Sequence, residues 1–359
     1  MESTRGVDAV VLVGGKGTRL RPLTLSAPKP MLPTAGVPFL SHLLSRIRAA
    51  GITHVVLGTS YRAEVFEEYF GDGSALGLEL EYVVEAEPLD TAGAIRNVYD
   101  RLRAEDVVVF NGDILSGADL GELVGTHRKT GADVTLHLQR VADPSRFGSV
   151  LTDPSGRVTE FLEKTPNPPT DQINAGCYVF RRSVIGSIPE GRPVSVERET
   201  FPGLLGSGAH MQGFVDSSYW LDVGTPEAFV RGSADLVRGV APTSALPGAP
   251  GAALVLDGAD VHGSATVDAG ATVGERAVVA GGAKVGGSVL FDDAVVEAGA
   301  TVENSVLGRG ARVGARTVLR GVVLGDGASV GADCELLDGA RVWPGMSLPD
   351  GSVRFSSDA

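Results

Sequence analysis

Four cationic side chains lie within fourteen residues beside a glycine-rich turn near the start of the chain. The turn is GGKGT, residues 14–18, and the cations are Lys16, Arg19, Arg21 and Lys29. Glycine lets a backbone approach a ligand closely and point its N–H groups at phosphate oxygens. Arginine can bind phosphate in a bidentate manner, whereas lysine supplies a mobile point charge. The stretch therefore predicts a phosphate-binding turn, although it matches neither the P-loop nor the dinucleotide-binding glycine pattern.

Two aspartates could hold a metal ion near such phosphates. Asp113 ends the segment FNGD after an apolar run, and Asp222 lies in YWLDVGTP, residues 219–226. Mg²⁺ usually keeps several waters and takes one or two carboxylates together with substrate phosphates. In isolation a turn carboxylate is the more common role for Asp113, and Asp222 could be a residue at a helix entry before Pro226. The pair nevertheless fits what a magnesium ion requires.

Alternating strand and helix patterns from residue 1 to about 236 would position these side chains. Apolar runs predict buried strands at 7–13, 54–58 and 106–110, and further strands at 78–85 and 134–139. Helical spacing predicts helices over 38–50, 63–70, 91–102 and 120–130. This order indicates an α/β domain with a Rossmann-like, mixed and mostly parallel sheet. Ligands of such sheets bind at the carboxyl ends of the strands, where the glycine turn and residues 111–113 lie.

A six-residue period begins after a Pro/Ala/Gly-rich linker at 237–251. From Val255 onward an apolar residue recurs every six positions, with five-residue steps after Phe291, Val302 and Leu319. A hexapeptide period is typical of a parallel β-helix whose apolar residues point inward. We therefore expect a catalytic domain at 1–236, a linker at 237–251 and a β-helix domain at 252–359.

The overall charge and the cysteines narrow the possible partners and compartment. The net charge of −13 argues against nucleic acid or an anionic membrane as the main partner. The sequence contains neither the pattern of a signal peptide nor an apolar run of membrane-spanning length. Cys177 and Cys334 have no metal or redox spacing, so we expect both to be buried. These features predict a cytoplasmic protein.

Several segments together resemble one family. GGKGTRLRPLT followed by PKPMLP resembles the signature of sugar-1-phosphate nucleotidyltransferases. The prolines on both sides of Lys29 predict that it lies on a stiff, extended segment. FLEK at 161–164 is similar to the family's F-x-E-K-P, with Thr165 displacing the proline by one position. NAG at 174–176 and YWLDVGTP resemble two further elements, and FGSV at 147–150 has phenylalanine where the family has tyrosine. The resemblance implies a GT-A-like nucleotidyltransferase domain and a left-handed β-helix at the C-terminus.

The resemblance also implies roles for individual residues. Nucleotide binding is expected at Leu12, Gly14, Gly15, Gly17, Thr18, Arg19, Glu85, Thr91, Ala92, Gly93, Asn111 and Gly112. Sugar-phosphate binding is expected at Gly148, Glu163, Lys164, Asn174 and Gly176. Mg²⁺ would be held by Asp113 and Asp222, and the catalytic groups would be these two aspartates with Arg19, Lys29 and Lys164.

The choice of base depends on EAEPLDTAG, residues 85–93, which resembles the family's base-reading segment. Guanine presents two adjacent donors that one carboxylate can accept, whereas uracil or thymine suits an amide better. If Glu85 points into the site, guanine is the expected base. The resemblance then implies that GTP and mannose 1-phosphate are the substrates and that GDP-mannose and pyrophosphate are the products. Glu85 and Glu87 could instead be exposed strand-end charges. Asp90, where many relatives have glycine, could narrow the base pocket.

Three alternatives remain open at this stage. A same-class enzyme could join glucose 1-phosphate with dTTP or UTP. A non-catalytic paralogue could bind GDP-mannose and regulate an active enzyme. An acetyltransferase could reside in the β-helix, although His262 is the one histidine of the repeat. Instead of housing such an activity, the β-helix is expected to pack subunits into a homo-oligomer.

Overall fold

The computed structural model describes residues 4–60 and 62–354. These residues belong to two compact units. The first unit comprises Met1–Gly15 and Leu43–Trp220, and the second comprises Lys16–His42 and Leu221–Ala359. The outermost residues of the two predicted domains, 1–3 and 355–359, lie outside the described residues. The predicted domain boundaries at 236 and 251 remain predictions.

The elements up to residue 237 are as follows. The strands are β1 (Val7–Leu12), β2 (Pro33–Thr34), β3 (Val37–Pro38), β4 (His54–Thr59), β5 (Glu79–Val84), β6 (Asp106–Asn111), β7 (Ile114–Ser116), β8 (Val134–Arg140), β9 (Gly148–Thr152), β10 (Val158–Glu163), β11 (Gln172–Arg181), β12 (Met211–Asp216) and β13 (Trp220–Asp222). The α-helices are α1 (Phe39–Ala49), α2 (Glu64–Phe70), α3 (Asp90–Asn97), α4 (Leu120–Thr130), α5 (Arg182–Ser187), α6 (Phe201–Gly206) and α7 (Pro226–Val237).

A mixed sheet forms the centre of the first unit, as the strand and helix pattern predicts. Its strand order is β10-β9-β11-β6-β1-β4-β5, with β8 beside β11 and β12 beside β8. β1 runs parallel to both β4 and β6, whereas β11 runs antiparallel to β6. Leu12 is paired with Asn111 and with Gly58, so three strands end at the same edge of the sheet. Apolar side chains of these strands, such as Val10 and Val109, are fully buried.

The predicted helix over 91–102 is shorter in the structure. α3 ends at Asn97, and a separate 3₁₀ turn covers Tyr99–Arg101. The break falls at Val98, whose φ of −92° and ψ of 0° lie outside the helical range. Val98 is fully buried, so packing overrides the helical spacing of the sequence.

An ion-pair network closes the opposite, amino-terminal edge of the sheet. His54 bonds Asp8 through Nδ1 at 2.9 Å and Glu81 through Nε2 at 3.1 Å. Arg103 bridges Glu81 and Glu79 with contacts of 2.6 and 2.7 Å. The hydrogen bond to Asp8 raises the pKa of His54 above its ordinary 6.5, against the opposing effect of burial. Burial alone would raise the pKa of Asp8, but hydrogen bonds from His54 and two backbone N–H groups hold it below 3.8.

The repeat forms three parallel sheets, consistent with a left-handed β-helix. Its strands are β14 (Ala253–Val255), β15 (Asp260–Val261), β16 (Thr266–Asp268), β17 (Ala271–Val273), β18 (Val278–Val279), β19 (Lys284–Gly286), β20 (Val289–Leu290), β21 (Val295–Val296), β22 (Thr301–Glu303), β23 (Val306–Leu307), β24 (Arg312–Val313), β25 (Val318–Arg320), β26 (Val323–Leu324), β27 (Ser329–Val330), β28 (Glu335–Leu336), β29 (Arg341–Val342) and β30 (Ser347–Leu348).

The inward ladders of the β-helix confirm the apolar period, with two corrections. Val279, Val296 and Val313 stack in register in one ladder and are fully buried. Burying each such side chain stabilises the fold by about 1.5–3 kcal/mol. Val255 is in register with the inward Val273, as expected, but is 47% exposed because β14 is the first strand of its sheet and no further coil covers it.

The second correction concerns the first five-residue step. Leu290, and not Phe291, follows Val273 in the ladder that continues to Leu307. The step therefore falls after Val285. Phe291 is buried outside the ladder, where its ring lies 6.4 Å from that of Phe229 in α7.

Residues 16–42 are anchored to the C-terminal part of the second unit. The N–H of Ala35 donates to Ser233 Oγ of α7 at 3.0 Å. A Cβ on Gly36 would lie 3.0 Å from both Leu256 and Pro247, so the tip of the β2–β3 hairpin packs directly on the start of the repeat. Within the described residues, no helix is both long and apolar enough to cross a membrane.

The pairing of His54 with Asp8 predicts how the free energy of unfolding depends on pH. A group whose pKa is raised by folding stabilises the fold below its unfolded value and loses that contribution as the pH rises through its folded value. We therefore expect the free energy of unfolding to fall as the pH rises above about 6.5 and through the raised pKa of His54, and His54→Gln to remove this slope. Urea unfolding across that range measures it, with the exposed His262→Gln as the matched control. A slope retained in His54→Gln would contradict the assignment.

Candidate active site

Gly112 brings the ends of β1 and β6 together. Its N–H donates to the Leu12 carbonyl at 2.9 Å. A Cβ at this position would lie 2.6 Å from the same oxygen and 2.9 Å from Val13 Cγ1. Only glycine therefore permits this approach. Asp113 follows directly and is half-buried at this edge.

A cluster of amide groups lies beside the end of β6. Asn111 Nδ2 is 2.9 Å from the position that a Cβ on Gly176 would occupy, and Gly176 adopts a φ of 75°. The Gly176 N–H donates to Asn174 Oδ1 at 3.1 Å, and Asn174 Nδ2 donates to the Tyr178 hydroxyl at 2.8 Å. The NAG segment and Asn111 thus lie side by side, while their roles remain predictions.

Glu85 lies next to the glycine turn in the first unit. A Cβ on Gly14 would lie 3.9 Å from Glu85 Oε1 and 2.9 Å from Ser60 Oγ. Glu85 Oε2 accepts the Leu89 N–H at 3.2 Å. Burial raises the pKa of Glu85 above 4.5, and the Leu89 bond opposes this. Glu87, in contrast, is exposed.

Asp90 has its carboxylate engaged elsewhere. Its backbone has a φ of 57°, the left-handed region that favours glycine. One carboxylate oxygen accepts the Thr91 N–H at 2.7 Å, and the other accepts Arg198 Nη2 at 3.0 Å. The ion pair with Arg198 offsets the conformational cost of placing a residue other than glycine at this positive φ.

Three predicted nucleotide-binding residues make internal contacts. The N–H groups of Ala92 and Gly93 donate to the Val194 carbonyl at 2.8 and 3.1 Å. Thr91 Oγ1 donates to Glu197 Oε2 at 3.1 Å. These backbone amides are therefore engaged in holding the segment around Val194.

Glu163 and Lys164 form the sugar-phosphate part of the prediction. Lys164 Nζ lies 3.2 Å from Glu163 Oε1, and the lysine side chain is 67% exposed. A Cβ on Gly148 would lie 2.9 Å from Glu163 Oε2. Phe147 packs edge-on against Trp220, whose ring centroid is 5.4 Å away. The Trp220 Nε1–H donates to the Ala175 carbonyl at 3.0 Å, and this bond connects the Phe147–Trp220 pair to the NAG segment.

The four cationic residues predicted beside the glycine turn belong to the second unit. Gly17 has a φ of 54°, and a Cβ there would lie 3.2 Å from Lys29 Cβ, so the turn and Lys29 are neighbours. Thr18 and Arg19 open a 3₁₀ turn, Thr18–Leu20. A Cβ on Gly224 would lie 2.6 Å from Arg19 Nη2, so the guanidinium lies on the backbone that follows Asp222.

Lys29 corrects one expectation. The flanking prolines predict a stiff extended segment, but Lys29–Met31 is a 3₁₀ turn. Pro28 itself is extended, with a ψ of 146°, and Pro30 has a backbone angle compatible with the turn. The prolines restrict the backbone of this segment as expected, but they hold it in a turn and not in an extended conformation.

Sequence reasoning missed Ser60, Arg198 and Arg341. Ser60 directly follows β4 at the carboxyl edge, so its position relative to β1 could have identified it. Arg198 is 108 residues from Asp90. No local pattern signals such a pairing.

The donor chemistry of the two aspartates fits a hard divalent cation. Both are half-buried carboxylates, the ligand type that Mg²⁺ prefers. Another possible ligand set, His54, Glu79 and Glu81, brings its ligand atoms within 4.8 Å of one another. That set lies at the amino-terminal edge, and Arg103 already binds its carboxylates. We therefore assign it a structural role.

The candidate residues are distributed over both units. The first unit contains Gly14, Gly15, Glu85 and the NAG segment, and the second contains residues 16–18 of the glycine turn, Arg19 and Lys29. Groups of these kinds can position substrates and neutralise charge in a transfer between phosphates.

Comparison with known proteins agrees with this chemistry. Residues 8–239 match the family model of nucleotidyl transferases, and residues 249–353 match that of the GMPPB C-terminal domain. A mannose-1-phosphate guanylyltransferase of Mycobacterium tuberculosis is 65% identical over 357 residues, 99% of each chain. A mannose-1-phosphate guanylyltransferase catalytic subunit beta of Drosophila pseudoobscura pseudoobscura is 40% identical over 230 residues, 63% of this chain and 62% of that one. The crystal structure of HddC from Yersinia pseudotuberculosis complexed with GMP-PN has a TM-score of 0.56 at 28% identity, covering 64% of this chain and 99% of that one.

Gly112 provides a test of the site's construction. We expect Gly112→Ala to lower the free energy of unfolding by about 1–3 kcal/mol, because the methyl group forces β1 and β6 apart. Gly125→Ala is the matched control, since nothing lies within 4 Å of a Cβ at that position in α4. It should stabilise the helix by about 0.5–1 kcal/mol. Urea unfolding measures both, and equal effects of the two variants would contradict the close approach.

Proposed function

Because the chain belongs to the nucleotidyl transferase family, we propose that it makes GDP-mannose and pyrophosphate from GTP and α-D-mannose 1-phosphate. The observation that carries this proposal is the 65% identity to a mannose-1-phosphate guanylyltransferase over 99% of both chains. The family acts on a nucleoside triphosphate and a sugar 1-phosphate, and it generally uses a divalent metal ion. The proposed ion is Mg²⁺.

The reaction is a single displacement at phosphorus. A phosphate oxygen of mannose 1-phosphate attacks the α-phosphorus of GTP in line, and pyrophosphate leaves from the opposite side. The attacking oxygen is already anionic, so neither a general base nor a covalent enzyme intermediate is required. Catalysis then consists of alignment and charge neutralisation.

Five side chains receive the main roles. Arg19, with the N–H groups of the glycine turn, holds the departing pyrophosphate, and Lys29 neutralises charge near the α-phosphate. Lys164 orients the attacking phosphate, and its 67% exposure leaves it accessible to a ligand. Asp113 and Asp222 are the proposed ligands of Mg²⁺. A bound Mg²⁺ supplies charge neutralisation at phosphate oxygens.

The contacts of Glu85 and Asp90 support guanine as the base. Glu85 is half-buried next to Gly14, where its carboxylate can accept the two adjacent donors of guanine. Asp90 is engaged by Arg198 and Thr91, which argues against its occupying the base pocket. The NAG cluster and Glu163 are assigned to the sugar hydroxyls.

The proposal extends to assembly and compartment. We assign self-association to the β-helix, where Trp343 and Met346 near its C-terminal end are 47% and 57% exposed. Both cysteines are free and buried, as in proteins of a reducing compartment, which supports a cytoplasmic location.

The test of this function is pyrophosphate release over a grid of nucleoside triphosphates and sugar 1-phosphates, with and without Mg²⁺. A dominant signal from GTP with mannose 1-phosphate is the expected result. Dominance of dTTP or UTP with glucose 1-phosphate would overturn the base assignment. No turnover with any pair, together with binding of GDP-mannose, would favour the non-catalytic paralogue.

Asp113 tests the metal assignment. We expect Asp113→Asn to abolish Mg²⁺-dependent turnover, because the amide lacks the charge of a carboxylate ligand, while the thermal midpoint stays close to that of the native protein. Asp100→Asn, at an exposed position of the same unit, is the matched control. An active, Mg²⁺-dependent Asp113→Asn enzyme would refute the assignment.

The Glu85→Gln variant tests whether Glu85 binds the guanine base. We expect Glu85→Gln to lower kcat/KM for GTP about 100-fold, because one acceptor becomes a donor, while activity with UTP rises. The exposed Glu87→Gln should leave both values unchanged. Since burial raises the pKa of Glu85, the KM for GTP of the native enzyme should increase as the pH falls towards that value. This acid limb should be absent in Glu85→Gln, and an identical pH profile would contradict the role of Glu85.

A further inference from the structure

One arginine of the last part of the β-helix contacts the backbone next to the glycine turn. Arg341 Nη1 donates to the Arg19 carbonyl at 2.9 Å and to the Arg21 carbonyl at 2.7 Å. Arg341 opens β29, where its side chain is exposed and the following Val342 is buried in the β-helix. All these residues belong to the second unit. The contact joins two segments that are 322 and 320 residues apart in sequence.

The local sequence explains why an external donor is needed there. In the 3₁₀ turn, the Leu20 N–H donates to the Gly17 carbonyl at 3.0 Å, and the Arg21 N–H donates to the Thr18 carbonyl at 3.2 Å. The Arg19 carbonyl would accept the next N–H of this series, but the residue in that position is Pro22. Proline has no N–H, so the turn itself cannot satisfy this oxygen. Arg341 supplies the missing donor.

The side chain of Arg19 is held at its other end. Its guanidinium lies against Gly224, where a Cβ would come within 2.6 Å of Nη2. The backbone of Arg19 is bonded to Arg341, while the side chain rests on the segment after Asp222. A shift of this backbone would therefore move the guanidinium relative to Asp222. The remainder of residues 16–42 is already fixed through Ala35 and Gly36.

We propose that Arg341 is a positioning residue for the phosphate-binding turn. By bonding two carbonyls of the turn, it holds Arg19 in the position from which Arg19 binds the departing pyrophosphate. The C-terminal β-helix thus contributes to turnover through this contact as well as to assembly. The catalytic consequence rests on the proposed function, whereas the ordering of the turn does not.

Steady-state kinetics test the catalytic consequence. Arg341→Met keeps most of the aliphatic stem and removes the donors, and we expect it to lower kcat/KM for GTP about tenfold and to raise the KM for pyrophosphate in the reverse reaction. The KM for mannose 1-phosphate should not change. Arg341→Lys retains a charged donor and should recover part of the loss. Equal losses in the methionine and lysine variants would overturn the role of the donor.

Arg312→Met is the matched control. Arg312 occupies the same kind of position, exposed and directly before an inward valine, in β24. Its side chain has no hydrogen bond or ion pair to the residues of 4–60 and 62–354. It should retain native kinetics. A loss equal to that of Arg341→Met would indicate a general effect of removing surface charge and would refute the proposal.

Hydrogen exchange provides a measurement that needs no substrate. The amides of Leu20 and Arg21 should exchange faster in Arg341→Met than in the native protein or in Arg312→Met, with the thermal midpoint unchanged. If the native protein shows no turnover, the proposed function fails while this measurement still decides the role of Arg341. Native exchange at both amides in Arg341→Met would overturn it. If Arg341→Met lowers the thermal midpoint, Arg341→Lys should show native exchange, and fast exchange in that variant would refute the proposal.

Discussion

The parallel pairing of β1 with β6, completed by the hydrogen bond from Gly112 to Leu12, is the constraint on which the first unit depends. Parallel strands place their carboxyl ends at one edge, and the missing side chain at residue 112 lets the two ends come within 2.9 Å. Asp113, Asn111 and the start of the glycine turn all follow from this approach. A larger residue would separate the groups before any ligand arrived.

The two edges of the sheet treat charge in opposite ways. At the amino-terminal edge, Asp8, His54, Glu81 and Arg103 satisfy one another, so their charges serve stability. At the carboxyl edge, the carboxylates of Glu85 and Asp113 are half-buried beside Gly14 and Gly112 respectively. Such partial burial keeps a polar group oriented while leaving it able to exchange water for a ligand. The same residue types therefore have a structural role at one edge and, in the proposed function, a chemical role at the other.

The sequence predicted those features that depend on local patterns. The strands of the central sheet, helix α4 over Leu120–Thr130 and most inward positions of the repeat follow from hydrophobic period and turn residues. The grouping of the glycine turn with residues 111–113 follows from the rule for parallel sheets.

What the sequence could not provide depends on distant contacts or on equal local alternatives. Leu290 and Phe291 are both apolar, so only the strand register decides which one points inward. The conformation at Asp90 is stabilised by Arg198, and the Arg19 carbonyl by Arg341, and neither partner is marked by spacing. Lys29 shows that prolines restrict a backbone without specifying its direction.

Because the coils of the β-helix are regular, the position of Arg341 depends on the number of coils that precede it. Leu290, Leu307 and Leu324 occupy equivalent places at intervals of seventeen residues, and Val342 follows in the same ladder. Removing one whole coil would leave every apolar ladder intact but would shift Arg341 by about 4.8 Å, the spacing of neighbouring strands. That distance exceeds the reach of its hydrogen bonds. The number of coils before β29 therefore determines whether Arg341 can reach the carbonyls of Arg19 and Arg21, so this one contact constrains the length of the β-helix.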